Sequence, residues 1–125
     1  MTRWPHPPAE PVPKRRERVA PPPARGGWDF RFATSEAVTG WEKVSAAAAA
    51  NARVAWERIT ADPRDRSERL HPLRGALGTR LVNGVPMEQW QYEVTSTGRL
   101  WYCIDDGNRT VWLTDASVGH PKATE

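Results

Sequence analysis

A chain of 125 residues with a net charge of +3 has room for one domain, and that domain need not fill the chain. A single cysteine, Cys103, excludes an internal disulfide and a cysteine metal cluster, and no apolar run approaches the roughly 20 residues of a membrane span. The N-terminus lacks the apolar core of a secretory signal, so the expected location is the cytoplasm.

The first 27 residues hold eight of the twelve prolines, together with Arg3, Lys14, Arg15, Arg16, Arg18 and Arg25 against Glu10 and Glu17. Apolar surface there is too sparse to offset the entropy of ordering. This predicts a disordered, partly polyproline tail over 1–27 and a folded domain over 28–125. Charge divides unevenly at that boundary: the tail carries +4, whereas residues 28–125 have twelve basic and thirteen acidic side chains. A broad electrostatic footprint for nucleic acid is therefore not expected on the domain. Any contact there must be local, while the tail can add a salt-sensitive attraction to phosphate.

Trp28, Phe30 and Phe32 alternate with Asp29 and Arg31, the period of a half-buried strand. Thr34 and Ser35 then offer N-cap oxygens, and Glu36 suits a first helical turn. The helix that starts there has Val38, Trp41 and Val44 on one face and is weakened by Gly40. Ser45 is the expected cap of a second helix, which carries Ala52, Ala55, Trp56 and Ile59 on its apolar stripe and is halted by Asp62-Pro63. The pair forms a helical hairpin whose tryptophans belong to the core.

Residues 63–75 read as a charged connection. Beyond them, Asn83-Gly84 predicts a two-residue hairpin turn between 79–82 and 85–88, with Pro86 marking the second arm as an edge or irregular start. From Gln89 to Val94 the alternation is strict, with Trp90, Tyr92 and Val94 inward and Gln89, Gln91 and Glu93 outward. A further strand directs Leu100, Tyr102 and Ile104 to the core and Arg99 and Trp101 outward. Asp105-Asp106-Gly107-Asn108 turns the chain into a last strand. The expected architecture is α+β, in the order β-α-α-β-β-β with room for one more strand, the helical hairpin packing on an antiparallel twisted sheet.

Cys103 lies inside an apolar strand and reads as a packing residue. Asp105 and Asp106 read as turn residues, and His6, His71 and His120 lack ligand spacing, so neither a metal nor another cofactor is expected.

The order of these elements, with Pro72-Leu73-Arg74-Gly75, Gly98-Arg99-Leu100-Trp101-Tyr102, the Asp105-Asp106 turn and Ser117-Val118-Gly119-His120, resembles the RelE/ParE family of type II toxins over residues 28–125. The resemblance implies a toxin neutralised by a cognate antitoxin encoded beside it. It also implies one of two activities. RelE-like members cleave mRNA on the ribosome by attack of a 2′-OH on the adjacent phosphate, whereas ParE-like members poison DNA gyrase.

Cleavage of this kind needs a proton acceptor, positive charge at the phosphate and a proton donor for the leaving oxygen. The pattern here is closer to YoeB-like toxins than to RelE. On that resemblance, Arg99 binds phosphate and His120 is the general acid. His71, in His-Pro-Leu-Arg where YoeB-like toxins carry Glu-Pro-Leu-Lys, is the general base. Glu93 is a further candidate base, and Arg74, Arg80, Trp101 and Lys122 complete the expected RNA-binding surface. Three departures set this chain apart from RelE-like members. Gln91 and Glu93 stand where those toxins carry lysines, Pro121 stands in place of an arginine, and the sequence ends at Glu125, ahead of the family's late catalytic tyrosine. The alternatives are a gyrase poison and a toxin-fold module that binds without catalysis.

Overall fold

In chain order the elements are β1 (Asp29–Phe32), α1 (Ser35–Ala47), α2 (Ala49–Ala61), β2 (Leu70–Pro72), β3 (Thr79–Val82), β4 (Val85–Glu93), β5 (Arg99–Asp105) and β6 (Thr110–Ser117). They are seen in a computed structural model that describes residues 14–19 and 26–119. The fold is α+β, with two helices packed on one face of a mixed sheet. The sheet runs β1-β6-β5-β4-β2, and β3 pairs with β4.

β4, β5 and β6 form the expected antiparallel meander. β1 departs from the antiparallel expectation. It lies parallel to β6, with Phe30 opposite Val111 and Phe32 opposite Leu113. No hairpin joins these two strands, so no turn fixes their relative direction; the passage of the helices across the sheet fixes it.

Thr34 caps α1 by accepting from the Ala37 amide at 2.9 Å and ties the cap to β6 by donating to the Thr114 carbonyl at 2.9 Å. The break between the helices falls at Ala48 rather than at Ser45, and α1 continues through Gly40. A Cβ at position 40 would collide with the Ala116 carbonyl oxygen, so glycine is what lets the helix approach β6. Burial against the sheet outweighs the roughly 1 kcal/mol of helix propensity that Gly40 gives up.

Phe30, Phe32, Val111, Leu113, Leu100, Tyr102, Ile104, Trp90 and Tyr92 line the sheet face toward the helices, which contribute Val38, Val44, Ala55 and Ile59. Trp41 and Trp56 are partly buried against this core. Asn83 and Gly84 both have positive φ, 52° and 81°, as the tight β3–β4 turn requires. Beyond α2, Arg64 reaches Glu88 on β4 at 2.6 Å and Asp106 in the β5–β6 turn at 2.7 Å.

Two segments carry more structure than their composition suggests. Within residues 63–75, Leu70, His71 and Pro72 form β2, opposite Tyr92, Gln91 and Trp90. Three residues are too few to show a period, but Leu70 is buried and anchors the strand. Within the stretch assigned to a tail, Lys14–Val19 lies along the outer edge of β1. The Val19 amide donates to Phe30 at 2.8 Å and the Phe32 amide donates to Glu17 at 2.9 Å. Asp29 accepts from Arg18 at 2.7 Å and from Arg31 at 2.9 Å. Burial raises the Asp29 pKa, but these two arginines outweigh it and hold the carboxyl below its usual range. Among the described residues, no helix is long and apolar enough to cross a membrane.

Candidate functional site

The helices cover one face of the sheet; the other face collects the polar side chains that alternation turns outward. Register then sets them in rows. His71 on β2 stands opposite Gln91 on β4, Gln91 opposite Trp101 on β5, and Trp101 opposite Asp115 on β6. In the adjoining row, Glu93 stands opposite Arg99 and Arg99 opposite Ser117.

A bulge makes the β6 end of these rows. Trp101 pairs with Asp115 while Tyr102 pairs with Leu113, leaving Thr114 as the extra residue. Strict alternation from Val111 and Leu113 would send Asp115 into the core. The inserted residue resets the phase and turns Asp115 and Ser117 outward.

Hydrogen bonds join the first row. The Trp101 indole Nε1 donates to Gln91 Oε1 at 2.8 Å, Gln91 Nε2 lies 3.4 Å from His71 Nε2, and His71 Nδ1 lies 3.2 Å from the Pro72 carbonyl oxygen. In the second row, Arg99 folds back on the β4–β5 loop. Its Nη1 donates to the carbonyls of Gly98 at 3.0 Å and of Thr95 and Ser96 at 3.3 Å each. Among the described residues Arg99 makes no ion pair, so its Nε and Nη2 donors remain available.

The β3–β4 hairpin curls over the same face. Arg80 Nη1 meets Asp115 Oδ2 at 2.6 Å, and the buried Gln89 donates to the Leu77 carbonyl at 2.8 Å while accepting from Thr114 Oγ1 at 2.7 Å. Beneath the hairpin, Val82, Met87 and Cys103 pack with Ala33 and Trp112. Beside it lies an open depression of about 380 Å³ lined by Gln91, Arg99, Trp101, Asp115, Ala116 and Ser117. A larger one, about 500 Å³, lies between α1 and the end of β6 and contains none of the expected site residues.

Of the residues singled out from sequence, His71, Glu93, Arg99 and Trp101 share this face. Arg80 reaches it too, but in an ion pair. Arg74 is exposed in the connection before the 3₁₀ turn at Gly75–Gly78. His120 and Lys122 lie outside the described residues. Sequence reasoning passed over Gln91 and Asp115 as site residues. The alternation of β4 already turned Gln91 outward, whereas Asp115 is hidden behind the Thr114 bulge.

Cys103 is buried, and burial pushes its thiol up to about 12, which leaves little thiolate at neutral pH. Among the described residues, no group of three or more His, Cys, Asp or Glu side chains is placed to hold a metal ion. What the face offers is an imidazole and a carboxylate as proton carriers, a guanidinium with open donors, and an indole ring on a rigid sheet. Comparison with protein-family models, with curated proteins and with solved structures finds no match to this chain.

Proposed function

We propose that this chain is the toxin of a type II toxin–antitoxin system with a RelE/ParE-like fold, and that it acts in the cytoplasm as a ribosome-associated mRNA endoribonuclease. One observation carries the proposal. His71, Glu93, Arg99 and Trp101, far apart in sequence and suited to different chemical tasks, lie on three adjacent strands of one helix-free face, where Arg99 and Trp101 line an open depression.

In this mechanism His71 takes the proton of a ribose 2′-OH, with Glu93 as the alternative acceptor. The 2′-oxygen bonds to phosphorus and the bond from phosphorus to the 5′-oxygen breaks, giving a 2′,3′-cyclic phosphate. His120 returns a proton to the leaving 5′-oxygen. The open donors of Arg99 stabilise the charge that builds on the non-bridging oxygens. Trp101 gives a neighbouring base a surface to stack on.

A second proposal, a gyrase poison or a binding module without catalysis, is favoured by the Arg80–Asp115 ion pair at 2.6 Å, which removes one cation from phosphate binding. Expression in cells separates the two. The ribonuclease proposal expects growth arrest and new 5′ ends in cellular mRNA by primer extension, both lost in Arg99→Ala and His71→Ala. Intact mRNA with double-strand breaks in DNA would replace it with gyrase poisoning. Intact mRNA and DNA, with tight binding to the product of the adjacent reading frame, would leave a binding module.

A further inference from the structure

Gln91 and Trp101 do more than line the depression: their hydrogen bonds determine which nitrogen of His71 carries its proton. An indole N–H is a donor and never an acceptor, so the Gln91 atom 2.8 Å from Trp101 Nε1 has to be the carbonyl oxygen. That contact removes the usual ambiguity of a side-chain amide. The other Gln91 terminus is then an NH₂ group, which only donates, and it points at His71 Nε2 from 3.4 Å. His71 Nε2 must accept. On the far side of the ring, Nδ1 faces the Pro72 carbonyl oxygen at 3.2 Å, which only accepts, so Nδ1 must donate.

We propose that Gln91 and Trp101 are positioning residues that hold His71 as the Nδ1–H tautomer, with the lone pair on Nε2. Two constraints at opposite ends of the imidazole, an indole donor relayed through an amide and a backbone acceptor, demand the same tautomer. The relay crosses β5, β4 and β2, so the sheet register itself enforces it. The lone pair is held by a long contact that an incoming hydroxyl can displace without breaking a strong bond. This inference deepens the proposed cleavage reaction and rests on it for its use: the nitrogen beside Gln91 is the one ready to receive a 2′-OH proton.

The tautomer is read directly from long-range ¹H–¹⁵N correlation of the imidazole rings in the full-length labelled protein at about pH 8, where free imidazoles are neutral. The His71 signals are assigned by their loss in His71→Gln. The expected spectrum shows Nδ1 at a protonated, pyrrole-like shift and Nε2 at an unprotonated, pyridine-like shift. Trp101→Phe keeps an aromatic ring but removes the N–H, and Gln91→Leu removes the relay. In both, the two nitrogens are expected to move toward averaged shifts, with thermal melting checking that the fold persists. An Nε2–H tautomer in the unmodified protein would overturn the inference. So would a tautomer unchanged in both variants, because the Pro72 carbonyl alone would then account for it. The expected tautomer without RNA cleavage would defeat the ribonuclease proposal and leave the positioning role standing. Cleavage that depends on His71 with mixed tautomers would do the reverse.

Discussion

The Tyr102 hydroxyl donates to the Pro63 carbonyl at 2.6 Å, joining the middle strand of the sheet to the chain just past α2. Both residues are fully buried, and the Tyr102 ring meets Phe30 edge to face at 6.5 Å between centroids. Burial, with a smaller contribution from Asp62, drives the phenol pKa far above its usual range, so the ring stays a donor throughout the neutral region. Tyr102→Phe keeps the ring contacts and orphans the carbonyl. Urea unfolding is expected to show a loss of about 1–3 kcal/mol, and an unchanged midpoint would mean that water replaces the hydroxyl. Because the phenol pKa is raised on folding, the stability linked to it is complete below about pH 10 and declines above that.

Gly40→Ala tests the contact between α1 and β6. In an exposed helix this change gains up to about 1 kcal/mol. Here the methyl group would collide with the Ala116 carbonyl, so a net destabilisation of about 1–3 kcal/mol is expected by thermal or chemical unfolding. A stabilised variant would show that α1 can move off the sheet without cost.

Arg64 joins Glu88 and Asp106 from a partly exposed position. Its hydrogen bonds are the leading cause that holds both carboxyls below their usual range; burial opposes it, and the Trp90 indole assists at Glu88. Groups with depressed folded pKa values stabilise fully above their unfolded values, about 4, and lose that contribution as pH falls through the folded ones. Arg64→Met should therefore cost about 1 kcal/mol at pH 7, discounted for solvent screening, and the gap to the unmodified protein should close toward pH 2. A gap independent of pH would place the effect in packing.

The edge pairing of Lys14–Val19 is visible to hydrogen exchange. The Phe32 amide donates to Glu17, so removing residues 1–19 should speed exchange at Phe32 while leaving Leu113, inside the sheet, protected. Asp29→Asn should speed it partly, because Arg18 and Arg31 both hold that carboxylate. Equal exchange in all three proteins would show that the segment does not guard the edge.

Trp101→Ala should weaken binding of a short single-stranded RNA by about 1–3 kcal/mol, the range for one stacked base. Fluorescence anisotropy measures it. Since the change removes no charge, the salt dependence of binding should stay the same. A loss that vanished at high salt would point to a disturbed Arg99 instead.

Much of this layout is legible in the alternation of apolar residues. Phe30 and Phe32, Trp90 and Tyr92, and Leu100 and Tyr102 each announce which side of their strand is buried, and Arg99 and Trp101 are outward by the same rule. Asn83-Gly84 announces its turn. Three things are not local and could not be read this way. The parallel seat of β1 depends on where the helices cross, β2 is too short to show a period, and the edge pairing of Lys14–Val19 uses backbone groups that every sequence has. The candidate site suffers most from this. His71 reads as a loop residue until β2 pairs with β4, and Asp115 reads as core until Thr114 is counted out of register.

That one uncounted residue divides β6 into two regions with different freedom to change. Residues 110–113 are locked between β1 and β5 by the core; past Thr114, Ala116 packs under α1 while Asp115 and Ser117 border the depression, so only that outward pair can vary without disturbing the core. Deleting Thr114 would leave Leu113 opposite Tyr102 and Asp115 opposite Trp101 in an unbroken ladder, with Asp115 still outward. What would be lost is the hydroxyl that donates to Gln89 Oε1 at 2.7 Å, leaving that buried amide oxygen without this partner beneath the β3–β4 hairpin.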